Sequence, residues 1–225
     1  TAPQIHAWLF PMVFGMTWGR AMHEFVEQLA KDERLRSLSF QNVKVVPFLG
    51  TPGAIQSDSW NTTTYSNTLA TKVGNLLHCA SYNLSAPMYV EGTKEKELIE
   101  SIDEIAKVLH MAETADIALI GIGSMQDDSS IIKAEIRTKE EYKELVRKGA
   151  VGEIVGRIYD KNGQTVDEDL KRKMVGISLD KIAKIPVRVG MSYGKDKIEA
   201  IKGAIAGGLV NVLVTDVPTA ELLLK

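Results

Sequence analysis

The stretch DIALIGIGS, residues 116–124, decides the fold of this 225-residue chain. Its apolar residues continue to a loop of small residues, which predicts a strand buried on both faces. Before it, four apolar residues recur at helical spacing: Leu98, Ile102, Ile105 and Leu109. A fully apolar strand after an amphipathic helix is typical of a parallel sheet covered by helices on both faces. We therefore predict an α/β fold.

The same rhythm appears nearer the amino terminus. An apolar run from Trp8 to Phe14 leads into FGMTWGR, residues 14–20, and an amphipathic segment follows. This order predicts a strand, a tight loop and a helix start. Such a loop presents free backbone N–H groups and the positive end of a helix dipole, which suit an anion such as a sugar phosphate. The pattern also fits an ordinary strand-to-helix turn with a packing tryptophan.

The next elements follow from the same patterns. Residues 43–49 are β-branched and apolar and predict a buried strand, and Leu69, Val73 and Leu76 indicate a helix. The polar segment between them, residues 56–65, has no clear period, which is typical of a functional loop.

An antiparallel insertion is predicted to interrupt the parallel pattern. A short charged helix over residues 140–148, closed by Gly149, precedes a strand-like stretch over residues 151–159. The segment DKNG, residues 160–163, is a hairpin-turn signal. We expect one domain over residues 1–225, with a small α+β insertion roughly within residues 125–186.

The last third returns to alternating strands and helices. Strands are predicted over residues 187–191 and 210–214, with a helix over residues 196–205 between them. Pro218 lies in the first turn of a final helix, where proline is favoured.

Composition narrows the classes of function. With 27 basic and 29 acidic residues the net charge is −2, so we do not expect this chain to hold nucleic acid by itself. The single cysteine, Cys79, excludes an internal disulfide framework and fits the reducing cytoplasm. We expect no membrane partner, because no apolar run approaches a membrane span and the start has no basic region typical of a signal peptide.

Three loops follow predicted parallel strands, at residues 17–20, 121–124 and 192–195. Ligands of open α/β sheets bind beyond the carboxyl ends of the strands, so these loops can converge on one pocket. Glycine-rich turns are common in all α/β proteins, and each loop alone is a weak signal.

Several kinds of site are not expected. Gln126 stands where a dinucleotide fingerprint needs its third glycine, and no Walker sequence is present. Ser124 is not in a nucleophile elbow. The four histidines show no metal-ligand spacing: His6, His23, His78 and His110. We therefore predict no catalytic residue, no metal and no cofactor.

Three polar residues stand out near the predicted pocket. Lys195 and Lys197 lie at a helix start, where a lysine can balance a phosphate charge, and the Glu153 carboxylate can accept hydrogen bonds from sugar hydroxyls. The same residues also fit a solvated helix start and a surface carboxylate.

Short motifs follow one another from residue 14 to the carboxyl terminus. They are GMTWGR (15–20), YSN (65–67), AP (86–87), GIGS (121–124), GAVGE (149–153), GR (156–157), GISL (176–179), IP (185–186), KIEAI (197–201) and GGLVNVLVTD (207–216). In this order they resemble the effector-binding domain of the SorC family of bacterial sugar-responsive transcription regulators.

The resemblance implies a Rossmann-like sheet with a small added subdomain, similar to glucosamine-6-phosphate deaminase and ribose-5-phosphate isomerase. It also implies a sugar or phosphosugar effector that switches a dimeric or tetrameric DNA-binding protein. The operator DNA would be bound only through a helix-turn-helix segment that this sequence lacks. The front, residues 1–13, aligns poorly with the family.

The resemblance also implies the ligand-binding residues. The loop of Thr17, Trp18, Gly19 and Arg20 is expected to form part of a phosphate cradle. Four other positions match ligand-facing or basic positions of the family: Tyr65 and Asn67 along the ligand, Glu153 at its hydroxyls and Lys197 at its anionic group. Lys133 lies near a further basic position. Leu49 stands where family members that accommodate a second phosphate can carry a basic residue, which disfavours a bisphosphate.

An enzyme on the same fold is the alternative hypothesis. A sugar-phosphate isomerase or deaminase needs a general base near the substrate carbon. Glu153, Asp127 and Asp128 are the available acids, but no companion histidine stands near them in the sequence.

Overall fold

The computed structural model describes residues 11–37, 40–52 and 62–225. Of the predicted functional loop over residues 56–65, only residues 62–65 fall within this part, and residues 1–10 also lie outside it.

The described residues form nine strands. They are β1 (Met12–Met16), β2 (Val43–Pro47), β3 (Ala80–Ser81), β4 (Ile117–Gly121), β5 (Gly123–Ser124), β6 (Ala150–Ile154), β7 (Arg157–Asp160), β8 (Val187–Met191) and β9 (Val212–Val214). Within the same ranges there are ten α-helices. They are α1 (Arg20–Leu29), α2 (Ser66–Leu77), α3 (Thr93–Glu100), α4 (Asp103–Glu113), α5 (Ser130–Lys133), α6 (Lys139–Arg147), α7 (Glu168–Lys173), α8 (Leu179–Ile182), α9 (Ile198–Ala206) and α10 (Val217–Leu223). None of them is both long and apolar enough to cross a membrane.

Six strands build one parallel sheet in the order β3-β2-β1-β4-β8-β9. The chain builds outward from β1 through β2 on one side and resumes with β4 on the other, so the strand order reverses between β1 and β4. Strands β5, β6 and β7 form a separate antiparallel sheet. Only Ile122 separates β4 from β5.

The core lies on both faces of the parallel sheet, which confirms the predicted α/β class. On one face, Met16 of β1 packs with Met22 and Val26 of α1 and with Leu69 of α2. On the other face, the large sheet and the small sheet share one apolar cluster that includes Ile120, Ile154 and Tyr159. This shared cluster holds the two sheets together. Strand β4 is less covered than predicted, because Ile117 and Leu119 are only half-buried.

The predicted stripe from Leu98 to Leu109 does not form one helix. The chain leaves the helical conformation at Ile102, whose φ of −66° and ψ of 123° are extended, and α4 begins directly after it. Asp103 and Glu104 occupy the first turn of α4, where acidic side chains favour a helix amino terminus. Leu98 is 70% exposed and Ile102 49%, so the spacing overstated how much of the stripe is core.

The predicted strand-like stretch over residues 151–159 is divided by a turn that the sequence did not predict. Strands β6 and β7 are joined by Val155 and Gly156, both with positive φ (54° and 69°), as a two-residue type I′ turn requires. The predicted hairpin turn over residues 160–163 is confirmed, since the Gly163 amide donates to the Asp160 carbonyl at 2.9 Å. That turn returns the chain from β7 and brings Thr165 against Tyr159 in an isolated bridge. The predicted helix over residues 196–205 likewise begins with a 3-10 turn at Lys195–Lys197 before α9.

Candidate functional site

An open pocket of about 320 Å³ lies at the carboxyl ends of β1, β4 and β8. It sits where the strand order reverses, which is where open α/β sheets bind ligands. The three loops predicted to converge do so here. The lining residues are Trp18 to Ala21 from the first loop, Gly121 to Ser124 from the second, Ser192, Tyr193, Asp196 and Lys197 from the third, and Asp128 to Ser130 with Glu153 from the small sheet and its helices.

The first loop is anchored beneath the pocket by Thr17. This side chain is fully buried, and its Oγ1 accepts a hydrogen bond from the Gly121 amide at 2.8 Å. Gly19 then adopts a φ of 107° and begins α1 without a side-chain cap. Gly19, Arg20 and Ala21 face the pocket, so the positive end of the α1 dipole opens onto it. This arrangement suits an anionic group of a ligand.

Glu153 is the buried carboxylate of the pocket, with 7% of its surface exposed. It lies opposite Gly123 in the pairing of β6 with β5, and a Cβ on Gly123 would lie 2.7 Å from Glu153 Oε2. The glycine therefore leaves the room that the carboxylate occupies. The Gly156 amide and the Trp18 side chain both donate to Glu153. Burial raises the pKa of Glu153, and these donors and the nearby Lys197 only partly oppose it.

This raised pKa predicts a stability effect of Glu153→Gln. An acid whose pKa is higher in the folded chain than in the unfolded chain makes stability fall as pH rises between the two values. The amide removes that titration and keeps an oxygen acceptor for Gly156 and Trp18. We expect Glu153→Gln to unfold at a higher temperature than the wild type at pH 8, and to show no gain at pH 4.

Thermal unfolding followed by circular dichroism at both pH values checks this expectation. Glu199→Gln is the control, because the Glu199 side chain is 72% exposed on α9. An equal gain in the control, or a gain that persists at pH 4, would contradict the prediction.

Lys197 presents a held ammonium group to the pocket. Its Nζ donates to Ser124 Oγ at 2.9 Å and lies 3.8 Å from Asp196 Oδ2. The Ser124 hydroxyl in turn donates to Asp196 Oδ2 at 3.2 Å. The three side chains bring residues from β5 and the turn after β8 together. The lysine side chain is 21% exposed, so its charge faces the pocket more than bulk solvent.

A second cation, Arg20, lies at the pocket mouth. Its Nη2 donates to Asp128 Oδ2 at 2.8 Å, and both side chains are more than half exposed. The pocket therefore carries the cations Arg20 and Lys197 and the acids Asp128, Glu153 and Asp196. Such a balance suits a ligand with several hydroxyl groups and few negative charges.

Besides the supporting Thr17, two predicted site residues, Tyr65 and Asn67, lie outside this lining. Asn67 donates through Nδ2 to Thr51 Oγ1 at 3.0 Å and to the Leu84 carbonyl at 3.1 Å, and its Oδ1 accepts from the Leu84 amide. It therefore holds two loops together. Tyr65 immediately precedes α2, and burial raises the pKa of its hydroxyl. The ligand roles of Tyr65 and Asn67 stay predictions.

The structure adds residues that the sequence did not single out for ligand binding. No pattern in the sequence marks Asp196, although it precedes Lys197, and none marks the Ser129–Ser130 pair. The sequence indicates Asp128 only as an available acid of the alternative enzyme. In the part of the chain that the structure describes, no group of three His, Cys, Asp or Glu side chains is placed to hold a metal ion.

Comparisons with known proteins point to one family. The Sugar-bind family model, which describes a sugar-binding domain, matches residues 10–225. The sorbitol operon regulator of Klebsiella pneumoniae is 30% identical over 215 residues, which cover 95% of this chain and 65% of that protein. The transcriptional regulator LsrR of Escherichia coli O9:H4 (strain HS) is 35% identical over 159 residues, or 69% of this chain and 50% of that protein.

Solved structures point to the same family. The full-length sorbitol operon regulator SorC from Klebsiella pneumoniae superposes with a TM-score of 0.84 at 31% identity, covering 96% of this chain and 67% of that one. A DeoR family transcriptional regulator from Listeria monocytogenes gives 0.81 at 25% identity, covering 94% and 78%. The chain spans one half to about two thirds of the curated relatives described above. It belongs to the family of sugar-binding domains represented in SorC-type transcriptional regulators.

Proposed function

We propose that this chain is the effector-binding domain of a transcriptional regulator of carbohydrate metabolism, and that it binds a sugar or a sugar monophosphate. The observation that carries the proposal is the pocket at the carboxyl ends of β1, β4 and β8. There the amino end of α1, the Lys197 ammonium and the buried Glu153 carboxylate face one space. Cationic and N–H donors suit a phosphate or another electron-rich group, and a carboxylate suits sugar hydroxyls.

Each predicted ligand residue has a role in this proposal. Trp18, Gly19 and Arg20 form the wall at the start of α1, and Thr17 supports that wall from beneath. Glu153 accepts hydrogen bonds from hydroxyls, while Lys197 contacts the anionic group. Tyr65 and Asn67 contact the ligand from the segment around the start of α2. This segment is joined to the first loop, because the Gly19 amide donates to the Thr64 carbonyl at 2.9 Å.

In the full-length protein, effector binding is proposed to change operator affinity through a homodimer or homotetramer, in the cytoplasm. A ligand shifts such an equilibrium only as far as it binds one arrangement better than the other. The named relatives are regulators, which supports a binding role over the isomerase or deaminase alternative. Among the described residues, the pocket lining also contains no histidine to accompany Glu153 in acid–base chemistry.

Isothermal titration calorimetry against matched sugars and sugar phosphates tests the proposal. The panel pairs ribose with ribose 5-phosphate, glucose with glucose 6-phosphate, and sorbitol with sorbitol 6-phosphate. Saturable binding of at least one compound, lost or weakened in Glu153→Gln, is the expected result. A folded chain that binds none of them would contradict the proposal. Turnover of ribose 5-phosphate or glucosamine 6-phosphate would instead favour the enzyme.

A further inference from the structure

Asp128 lies at the pocket mouth, on the segment that connects β5 to α5. Its carboxylate accepts a hydrogen bond from the Arg20 guanidinium at 2.8 Å, although the two residues are 108 positions apart in the sequence. The Arg20 and Asp128 side chains are 75% and 57% exposed. The ion pair therefore spans the open mouth of the pocket and is accessible to a competing ligand.

Three cations act on this one carboxylate. Partial burial by itself raises the pKa of Asp128, but the hydrogen bond from Arg20 and the charges of Arg20, Lys133 and Lys197 outweigh it and lower the pKa. Arg20 and Lys197 also line the pocket. The Asp128 carboxylate thus lies near three positive charges, and the same charges attract a ligand anion.

The other acids of the pocket have different partners. Glu153 is buried and bound by the Gly156 amide and the Trp18 side chain. Asp196 accepts from the Ser124 hydroxyl and lies beside Lys197. Asp128 is the acid that engages the cation at the start of α1.

Building on the proposed function, we infer that Asp128 is a built-in competitor of the ligand's anionic group. In this structure its carboxylate accepts a hydrogen bond from Arg20, and a phosphate group that pairs with Arg20 has to displace it. Asp128 thereby sets specificity, because it lowers the affinity for phosphorylated ligands and leaves that for unphosphorylated sugars unchanged. Ligands whose phosphate pairs strongly enough with Arg20 overcome this competition.

Titration of inorganic phosphate into the wild-type chain, Asp128→Asn and Asp127→Asn tests the inference. Asp127 is an exposed neighbour outside the pocket lining, so its variant matches the change in net charge. An exposed ion pair is worth up to about 1 kcal/mol, so we expect Asp128→Asn to bind phosphate about three- to fivefold tighter. Asp127→Asn should stay within about twofold of the wild type.

A second titration compares ribose 5-phosphate with ribose, or whichever pair of the panel binds. Asp128→Asn should strengthen binding of the phosphorylated compound and leave its unphosphorylated partner unchanged. Thermal unfolding curves confirm that both variants are folded.

The outcomes separate this inference from the proposed function. Equal phosphate affinities of Asp128→Asn and Asp127→Asn, or no phosphate binding by any of the three proteins, overturn the inference. Tighter phosphate binding by Asp128→Asn in a chain that binds no sugar or sugar phosphate contradicts the proposed function and supports the competition.

Discussion

Replacement of Lys197 by methionine is expected to weaken binding of a sugar phosphate by about 30-fold, or about 2 kcal/mol. The methionine keeps most of the unbranched side chain but removes the ammonium group that faces the pocket. Its loss also leaves Ser124 Oγ without the donor at 2.9 Å and Asp196 without its nearest cation. The remaining charges at this side of the pocket then repel an anion.

Lys195→Met is the matched control for this measurement. Lys195 belongs to the same 3-10 turn, is exposed and does not line the pocket, so both variants lose one positive charge from the same segment. Calorimetric titration should show near wild-type affinity for Lys195→Met. The unphosphorylated sugar should lose less affinity than the phosphate in Lys197→Met. Equal losses in the two lysine variants would assign the effect to net charge and would remove Lys197 from the proposed site.

The second large effect is expected at Arg137, which lies between α5 and α6. Arg137 Nε donates to Asp167 Oδ2 at 2.8 Å and Nη2 donates to Oδ1 at 3.1 Å, with both side chains less than a tenth exposed. Arg137→Met should lower the free energy of unfolding by about 3–5 kcal/mol, because it leaves the Asp167 charge buried without its cation. Urea unfolding measures this loss.

Two variants show whether the buried charge is the cause. Arg147→Met breaks an exposed pair with Glu144 on α6 and should change stability by at most about 0.5 kcal/mol. The double variant Arg137→Met/Asp167→Asn should recover part of the loss, since the amide is neutral and can still accept from the Leu170 amide at the start of α7. A cost for Arg137→Met no larger than that for Arg147→Met would refute the prediction.

The sheet was predictable because its strands carry their own signal. The predicted bounds of β8 match the observed Val187–Met191, and DIALIGIGS contains both β4 and the short β5. The break at Ile102 was harder to predict from the sequence, because an apolar residue at helical spacing also fits the position just before a new helix. The missed turn between β6 and β7 has a similar cause. Val155 is β-branched and carries no turn signal, yet it adopts positive φ beside Gly156.

The candidate site was predictable only in part. Loops that follow parallel strands must lie at one edge of the sheet, so the convergence of the Trp18, Gly123 and Lys197 segments followed from topology. The pairing of Arg20 with Asp128 depends on how the segment after β5 folds back over α1, and no local pattern encodes that distance. Asn67 shows the opposite problem, because an amide that binds backbone groups and one that binds a sugar look alike in a sequence.

The passage from β4 to β5 through the single residue Ile122 has a mechanical consequence. The chain passes directly from the parallel sheet to the antiparallel sheet beneath the pocket. Residues that line the pocket belong to both sheets. Lys197 follows β8 of the parallel sheet, and Glu153 lies on β6 of the antiparallel sheet. A ligand that contacts both residues therefore connects the two sheets. Separation of the two sheets then also requires release of the ligand. A higher affinity for the effector therefore makes this junction more rigid, and a lower affinity makes it less rigid.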